Sequence, residues 1–422
     1  MYCRRYIPQE LCDEVVDYLW DDIHTLKACA MTCRSWVWRS QKHLFRDVAV
    51  NNATRFERFM RLLKSNNRIA LYVRVLTIAK ARRGKTKLDK RWHELLQRLP
   101  HVEQLTIGRW VDLFPMEDTV QQNLPVYFAR VRVLCIVNSF VGSSEDFARV
   151  LTACPAMRTL YLDNARVWPS WSQSDSDDSQ PIVLPRLDTL SLNPTHVNPM
   201  TRFWINGGVC ANIRRLELEL ATSDMFIHCE PLLRALRDTL EEIVLCVIGS
   251  KQPRRPLAHS IPPMKRLRRV HLRTKMLDAK EPIPRRYEWM LRFLRLLGGW
   301  ESKNQLTEIA LSWRTSDLSN TKHPPAWAAF DAAMTDLAKA NAKVKFVLNI
   351  FDNTGIQNPW YYMTCLGLQT FPSLQGVSTT LMVNMGASWS EDETFGGTLS
   401  HSRHWEFKYE QDHSGQVRRQ ES

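Results

Sequence analysis

Near its N-terminus the chain of 422 residues carries two stretches in which apolar residues recur every three or four positions. These residues are Ile7, Leu11, Val15, Val16 and Leu19 in the first stretch and Leu26, Cys29, Ala30, Cys33 and Trp36 in the second. The spacing predicts two helices, each with one apolar stripe. Pro8 can open the first helix, and Asp21 and Asp22 stand where they can cap the second.

A third short helical segment follows and ends at Leu44, Phe45 and Arg46. Residues 1–50 therefore predict a module of three short helices. A core of that size is rarely sufficient alone, because small domains bury too little apolar surface without a staple or a partner. We expect this module to dock on a partner.

Beyond residue 50 a six-residue pattern, apolar-x-x-apolar-x-apolar, recurs ten times. The copies begin at Val73, Val102, Val131, Met157, Leu187, Ile213, Leu240, Leu267, Leu306 and Val344. The first eight copies are 26 to 30 residues apart, and the steps to the last two are 39 and 38 residues. A short alternating strand repeated at such a period is typical of a solenoid, in which each repeat is buried only against its neighbours.

Apolar residues at helical spacing precede several of these strands, as at Phe56, Phe59, Met60 and Leu63. Prolines stand just before four strands, where a helix must already have ended: Pro100, Pro155, Pro185 and Pro263. Each repeat is thus predicted as helix, break and strand. The predicted fold class is α/β, with a small three-helix module followed by an irregular β/α solenoid that forms an arc. An ordinary α/β domain with a parallel sheet is the alternative.

These patterns also set the predicted domain boundaries. They are 1–50 for the helical module, 51–72 for a linking helix, 73–352 for the solenoid, 353–399 for a C-terminal cap that includes Trp360, Tyr361 and Tyr362, and 400–422 for a polar, frayed tail. Residues 170–181 are rich in Ser and Asp and predict an exposed loop within the solenoid. Its serines are either substrates of an acid-directed kinase or part of a plain solvated insertion.

The composition, with 44% hydrophobic and 24% charged residues, is that of a folded soluble protein. No apolar run is long enough to span a bilayer, and the first residues lack the apolar core of a secretory signal. The ten cysteines are scattered without a C-x-x-C pair, which is typical of a reduced, intracellular protein that uses cysteine as a small hydrophobic residue. We expect the protein in the cytoplasm, the nucleus or both, with no membrane partner.

The formal net charge of +13 favours acidic partners, which include nucleic acid and acidic protein surfaces. The basic residues cluster at 82–87, 254–255, 265–269 and 285–286. The alternative is a set of solvated surfaces with no specific ligand.

Recognisable catalytic motifs are missing, since the sequence has no nucleophile elbow, P-loop, dinucleotide fingerprint or H-E-x-x-H helix. Cys29 and Cys33 are one helical turn apart, but no second ligand pair follows at zinc-finger spacing, so core packing is favoured. We therefore expect a non-catalytic protein with no metal site and no cofactor.

Within each predicted strand the fourth and sixth residues of the pattern should point inward, and the third, fifth and seventh should line the opposite, concave face. This face is neutral in the early strands and charged in the later ones. The charged positions that we expect to meet an acidic patch or a phosphorylated segment of a partner are Arg215, Arg269, His271 and Arg273. A register error of one residue would send them inward, and a merely solvated strip is the alternative.

The N-terminal module resembles an F-box over residues 6–48. The resemblance rests on Ile7-Pro8, Glu10-Leu11, Val15, Leu19, Leu26, Ala30, the run from Thr32 to Trp36, and Leu44-Phe45-Arg46. It is especially similar to the F-boxes of fungal proteins with long C-terminal regions. Ile7 stands where the family usually has Leu, a change that conserves volume. The alternative is an ordinary helical subdomain packed on the rest of the protein.

The repeats resemble leucine-rich repeats more loosely. In that family an Asn or Cys ties the turn after each strand, and the equivalent positions here hold Ser139, Ala165 and Thr195. The resemblance therefore implies irregular turns and uneven curvature.

Together the two resemblances imply a substrate receptor of SCF-type ubiquitin ligases, which does no chemistry itself. In that family the F-box docks on a Skp-family linker subunit, a cullin holds the linker, and the repeats hold a protein substrate. The resemblance assigns linker docking to Ile7, Pro8, Leu11, Val15, Leu19, Leu26, Cys33, Trp36, Leu44 and Phe45. The competing interpretation is a basic solenoid that binds nucleic acid or another anionic surface.

Overall fold

The computed structural model forms two compact units, residues 1–187 and 188–422, so the boundary falls within the predicted solenoid. The residues that it describes are 7–79, 92–108, 118–141, 144–167, 186–193, 197–220, 226–248, 261–274, 283–300, 305–314, 327–352, 371–377, 379–387, 403–409 and 418–420. The predicted loop 170–181 and the predicted cap residues Trp360, Tyr361 and Tyr362 lie outside these ranges.

The first unit begins with the three predicted helices, α1 (Gln9–Tyr18), α2 (Ile23–Thr32) and α3 (Arg34–Leu44). The predicted cap of the second helix is confirmed at Asp22, whose carboxylate accepts the backbone N–H of Thr25 at 3.0 Å. Cys12, Val16, Leu26 and Cys29 are buried and form the small core of the module.

Five parallel strands follow, each adjacent to the next repeat's strand. The strands of this unit are β1 (Asp47–Val50), β2 (Val75–Ala79), β3 (Gln104–Gly108), β4 (Val133–Val137), β5 (Phe140–Val141), β6 (Thr159–Asp163) and β7 (Arg166–Val167), and β1, β2, β3, β4 and β6 pair in that order. The helices between them are α4 (Ala53–Ser65), α5 (Trp92–Arg98), α6 (Asp118–Phe128) and α7 (Ser144–Thr152), with a 3₁₀ turn at Asn67–Leu71. The sequence patterns did not predict β1, which lies inside the segment assigned to the helical module.

The turns after β4 and β6 match each other. Asn138 and Asn164 both adopt left-handed backbone conformations, with φ of 49° and 46°, and Asn164 Nδ2 donates to Asn138 Oδ1 at 2.7 Å. Asparagine tolerates this conformation better than most residues. The short strands β5 and β7 then pair in parallel. The expected irregularity is therefore wrong for these two turns, because asparagines one position earlier tie them together.

The second unit repeats the same order of helix, break and strand. Its parallel strands are β8 (Thr189–Leu192), β9 (Arg215–Leu220), β10 (Glu242–Val247), β11 (Arg269–Thr274), β12 (Glu308–Arg314), β13 (Lys345–Asp352) and β14 (Thr379–Ala387). Its helices are α8 (Val197–Asn206), α9 (Phe226–Ala235), α10 (Ile283–Gly298), α11 (Trp327–Ala340) and α12 (Pro372–Gln375), with a 3₁₀ turn at Val209–Ala211.

The C-terminal region corrects two expectations. β14, expected as a closing cap, continues the parallel sheet beside β13. The tail expected to be frayed contributes β15 (Arg403–Tyr409), antiparallel to β14, and β16 (Arg418–Gln420), antiparallel to β15. This change of direction ends the parallel run.

The predicted inward positions of the strands are confirmed by burial, as at Leu76 and Ile78 in β2 and Leu216 and Leu218 in β9. Of the eight cysteines that the structure describes, seven are buried and Cys33 is exposed. Burial raises the pKa of the Cys135 and Cys154 thiols to about 12, so they stay neutral. Within the described ranges no helix is both long and apolar enough to cross a membrane.

Candidate docking surfaces

The helical module carries most of the large apolar side chains that are exposed in the described chain. Eight of eleven such residues lie between residues 7 and 38. Six of them follow α1 and the turn into α2, and we name this set the apolar surface: Ile7, Leu11, Val15, Tyr18, Trp20 and Ile23. The other two are Met31 and Trp38. A concentration of exposed apolar side chains is typical of interaction surfaces, because isolated proteins rarely expose contiguous apolar patches.

The geometry of α1 explains why this surface faces outward. Leu11, Val15 and Tyr18 follow one another by four and three positions, so they share one side of the helix. Cys12 and Val16 lie about a third of a turn away around the helix and are buried. Tyr18, with 85% of its surface exposed, stands at the end of the stripe. The predicted stripe that combined Val15 with Val16 therefore divides into an outer and an inner face.

The ten residues assigned to linker docking do not all reach solvent. Ile7, Pro8, Leu11, Val15 and Cys33 are exposed, whereas Leu19, Trp36, Leu44 and Phe45 are half-buried. Leu26 is buried in the module's core, so it supports the surface without forming part of it. The sequence missed Tyr18, Trp20, Ile23, Met31 and Trp38, of which Tyr18 could have been found by extending the spacing of Leu11 and Val15 by one step.

A polar cluster fixes α1 against α3. The Asp17 carboxylate accepts hydrogen bonds from the Arg39 guanidinium, one of them from Nε at 2.6 Å, and lies 2.7 Å from His43 Nε2. The bonds from Arg39, followed by that from His43, hold the pKa of Asp17 well below its usual range. Because bidentate pairs restrict orientation, the cluster holds the apolar surface in one geometry.

At the start of α3, Cys33 combines exposure with a polar neighbour. Its Sγ lies 3.0 Å from Ser35 Oγ, and this contact lowers the pKa of the thiol. The backbone carbonyl of Cys33 accepts the N–H of Trp36 and begins the helix. Cys33 is thus the exposed N-cap residue of α3.

The second unit contains the predicted charged positions. We name this set, with the two carboxylates that accompany it, the charged face: Arg215, Glu217, Glu242, Arg269, His271 and Arg273. Val270 and Leu272 are buried between them, which confirms the predicted register. Arg215, Glu242 and Arg269 are paired positions of β9, β10 and β11, so Arg215 lies two strands from Arg269 as expected.

The arginines of the charged face are already paired with carboxylates. Glu242 Oε1 lies 2.9 Å from Arg215 Nη1, and Glu242 Oε2 lies 2.6 Å from Arg269 Nη2. Arg273 Nη1 approaches Glu217 Oε1 at 4.0 Å. Three guanidinium groups therefore share two carboxylates, and the set carries far less net charge than the arginines alone suggest. Glu242 was not among the predicted positions, although it occupies the same pattern position in the intervening copy.

His271 is held neutral at the centre of this face. Burial, with the charges of Arg273 and Arg215, lowers its pKa well below the usual value. The Arg273 guanidinium lies 3.1 Å from Nδ1 and can only donate, so Nδ1 accepts. Nε2 lies 2.8 Å from Ser312 Oγ and 3.2 Å from Arg273 Nε. Burial also raises the pKa of Glu217.

Much of the sheet beside His271 is covered. Six side chains in register with His271 or Arg273 on the same side of the sheet are buried: Val244, Cys246, Ala310, Ser312, Val347 and Asn349. Solvent reaches this side mainly at the first positions of β9 and β11, where the Arg269 side chain is 59% exposed and that of Arg215 is 39% exposed. A partner can therefore touch the charged face mainly at Arg215 and Arg269.

Across the described residues no group of three or more His, Cys, Asp or Glu side chains is arranged to hold a metal ion. The apolar surface offers contact area, and the charged face offers charged groups. No protein-family model matches this chain, and no curated protein matches it.

Proposed function

We propose that this protein is the substrate-recognition subunit of an SCF-type ubiquitin ligase. In this proposal residues 1–50 are an F-box that docks on a Skp-family linker subunit, and the helix–strand repeats are a leucine-rich-repeat-like solenoid that holds the target protein. The observation that carries the proposal is the concentration of exposed apolar side chains on one small helical module.

The apolar surface has the chemistry of an interface core. Tyr and Trp are common binding anchors, and Tyr18 and Trp20 stand beside the aliphatic Leu11, Val15 and Ile23. Burying a side chain of this size contributes about 1.5–3 kcal/mol. Several together are sufficient for a specific complex, even after the cost of association is subtracted.

The module is also attached to the sheet without a flexible linker. α3 ends at Leu44, and β1 begins three residues later at Asp47. The carbonyl of Arg46 accepts the backbone N–H groups of Arg74 and Val75, each at 2.9 Å. A fixed attachment supports a receptor that raises the effective concentration of a bound target near the ubiquitin carrier and performs no chemistry itself.

On the charged face, the proposed target contacts are Arg215 and Arg269, with His271 and Arg273 behind them. An acidic or phosphorylated segment would have to compete with Glu242 for the two guanidinium groups. Phosphate is well suited to such competition, since it accepts bidentate bonds from arginine.

Co-purification with the linker tests the docking proposal. The variant Leu11→Ala/Val15→Ala/Tyr18→Ala removes three exposed side chains and leaves the buried Cys12 and Val16 in place. We expect the linker and the cullin to be lost from this variant. Leu71→Ala/Val126→Ala, which trims two exposed apolar residues elsewhere in the same unit, is the control and should retain them. A folded triple variant that retains the linker at the wild-type level would contradict the proposal.

Binding of nucleic acid is the competing function, favoured by the net charge of +13. Deletion of residues 1–50 is a poor test, because it removes β1 from the sheet. The triple variant separates the two functions, since it leaves every basic residue in place. Unchanged retention on heparin, steeply dependent on salt, in a chain that never binds the linker would favour the competing function.

A further inference from the structure

The first unit carries a row of arginines at the edge where its parallel strands begin. Arg46, Arg74, Arg132 and Arg158 immediately precede β1, β2, β4 and β6, and Glu103 holds the same place before β3. We name these five residues the arginine row. It belongs neither to the apolar surface nor to the charged face.

Backbone hydrogen bonds hold the row in line. The carbonyls of the first four members each accept the N–H of the next row member and the N–H of the residue after it, starting with the Arg46 carbonyl. For the last pair, the Arg132 carbonyl accepts from Arg158 at 2.8 Å and from Thr159 at 3.0 Å. Since neighbouring strands stand about 4.8 Å apart, the side chains project from one edge at regular steps of about that size.

The side chains of the row face solvent. Arg46, Arg132 and Arg158 are exposed, and the Arg74 side chain is half-buried. Arg74 has a local role, because its Nη1 donates to the His101 carbonyl at 3.2 Å and lies 3.8 Å from Glu103. Glu103 is the one acidic member of the row, and the other four members are arginines.

Arg130 extends the positive edge behind Arg132. Its guanidinium donates to His101 Nδ1 at 2.6 Å, which requires that nitrogen to be unprotonated. Burial and the charges of Arg74 and Arg130 lower the pKa of His101, in agreement with this bond. The helices that precede β3 and β6 also end at this edge and carry Arg98 and Arg149 in their last turns.

We infer that the arginine row binds an acidic polypeptide segment, with Arg132 and Arg158 as the main contacts. These two residues occupy adjacent strands, about 5 Å apart, so both guanidinium groups can donate to one carboxylate or phosphorylated side chain. The position of Glu103 favours a polypeptide over a nucleic acid. A polypeptide carries charge only at its acidic residues and can avoid Glu103, whereas a nucleic-acid backbone carries a phosphate at every nucleotide.

The aromatic residues of this edge point to the same choice. Phe45 and Tyr72, which stand at the edge within the described chain, are half-buried, so neither presents a fully exposed ring for base stacking. The inference goes beyond the proposed function, since it requires neither the linker nor ubiquitin transfer. A structural role alone, in which the arginines only offset the negative ends of the helices, is the competing explanation.

Fluorescence anisotropy with the full chain tests the inference. The probes are a labelled peptide of about 12 residues that alternates Asp and Ser, its phosphorylated form, and a single-stranded RNA of about the same length. We expect the chain to bind the peptide at low salt and the phosphorylated form more tightly. Arg132→Glu/Arg158→Glu should raise Kd at least about tenfold, which corresponds to the loss of one charge-assisted hydrogen bond.

The matched control is Arg55→Glu/Arg58→Glu, which changes the net charge equally at two exposed positions of α4. We expect its Kd to stay within about threefold of the wild-type value, the effect of a long-range charge change that salt screens. Arg132→Gln/Arg158→Gln serves where the charge reversal perturbs folding, as judged by the thermal midpoint, and it too should weaken peptide binding. The linker should still co-purify with both Arg132/Arg158 variants.

Three results would overturn the inference. Equal loss of affinity in the control would reduce the effect to net charge. Tighter binding of the RNA than of both peptides, lost in the Arg132/Arg158 variants, would make the row a nucleic-acid site. Absence of peptide binding by the wild-type chain at low salt would leave the arginines with their structural role alone. Loss of the linker from the triple variant of the apolar surface bears only on the ligase proposal.

Discussion

Asp17 of α1 is joined to Arg39 of α3 by hydrogen bonds from the guanidinium to both carboxylate oxygens. The pair closes the helical module across 22 positions of sequence and keeps the first helix in a fixed orientation. Because three of the six residues of the apolar surface lie on that helix, the stability of this ion pair and the docking of a partner should change together.

We predict that Asp17→Asn destabilises the module by about 1 kcal/mol, a value reduced for the partial solvent exposure of the pair. The pKa of Asp17 is lowered in the folded state, so the pair stabilises the fold above the unfolded pKa of about 3.9. This stabilisation is lost as the pH falls below that value. Urea unfolding of both proteins between about pH 3 and pH 7 should show a difference that shrinks towards the acidic end.

Asp21→Asn is the control for this experiment, because it removes a carboxylate from the exposed turn before α2. We expect it to leave stability and linker docking unchanged. A difference between Asp17→Asn and wild type that stays constant over the whole pH range would show that the ion pair is not its source.

The second prediction concerns Glu242, which neutralises two arginines on neighbouring strands. Glu242→Gln should leave Arg215 and Arg269 without their shared carboxylate and cost about 1–2 kcal/mol of stability. Inorganic phosphate should then raise the thermal midpoint of the variant more than that of the wild type, since anions bind the freed guanidinium groups.

Glu241→Gln provides the comparison for Glu242→Gln. Glu241 is the preceding residue and lies 3.9 Å from the exposed Arg214. Its replacement should change neither stability nor the response to phosphate appreciably. Equal responses of the two variants would mean that the sharing of Glu242 between the arginines has no energetic consequence.

The strands were predictable because leucine and isoleucine recur with a period of two inside a repeat of fixed length, as at Leu216 and Leu218. The face on which Arg269 lies follows from the same alternation. The partner of Arg269 does not follow from the alternation, because Glu242 becomes its neighbour only when β10 and β11 pair in register.

The candidate docking surface was predictable in position and only partly in detail. A period of 3.6 residues places Leu11 and Val15 together, but burial of Val16 depends on how α2 and α3 pack against α1. The pairing of Asp17 with Arg39 arises from the same packing. The strand Arg403–Tyr409 was missed although its aromatic residues alternate with polar ones, because it lies outside the six-residue repeat and within a segment assigned to a polar tail.

The third prediction tests the proposed target contact on the charged face. Arg269→Glu replaces an exposed guanidinium and places a second carboxylate beside Glu242. Proteins that co-purify with the wild-type chain through its repeats should be lost, while the linker is retained. We prefer this single change to one that includes Arg273, because Arg273 also contacts His271 and its loss would disturb the buried part of the face.

Arg214→Glu is the matched control for Arg269→Glu, since it reverses a more exposed charge in the residue directly before β9. Retention of the same proteins by both variants would remove Arg269 from the contact. Loss of them from both would point to net charge instead of a specific contact.

The last prediction concerns Asp331, a buried residue of α11 that holds the C-terminal part of the second unit. Its two carboxylate oxygens accept the backbone N–H groups of Ser373 and Leu374 at 2.8 and 2.9 Å, at the start of α12. Asp331→Ala should cost about 2–3 kcal/mol, because two N–H groups lose their acceptor and one of the bonds is buried. Asp331→Asn keeps one oxygen acceptor and should cost roughly half as much.

Chemical denaturation measures both values, with Asp336→Ala on the exposed side of α11 as the control. If Asp331→Ala is no less stable than this control, the bond to Leu374 does not hold α12 in place, and the packing of Phe371 and Leu374, both fully buried, must do so alone.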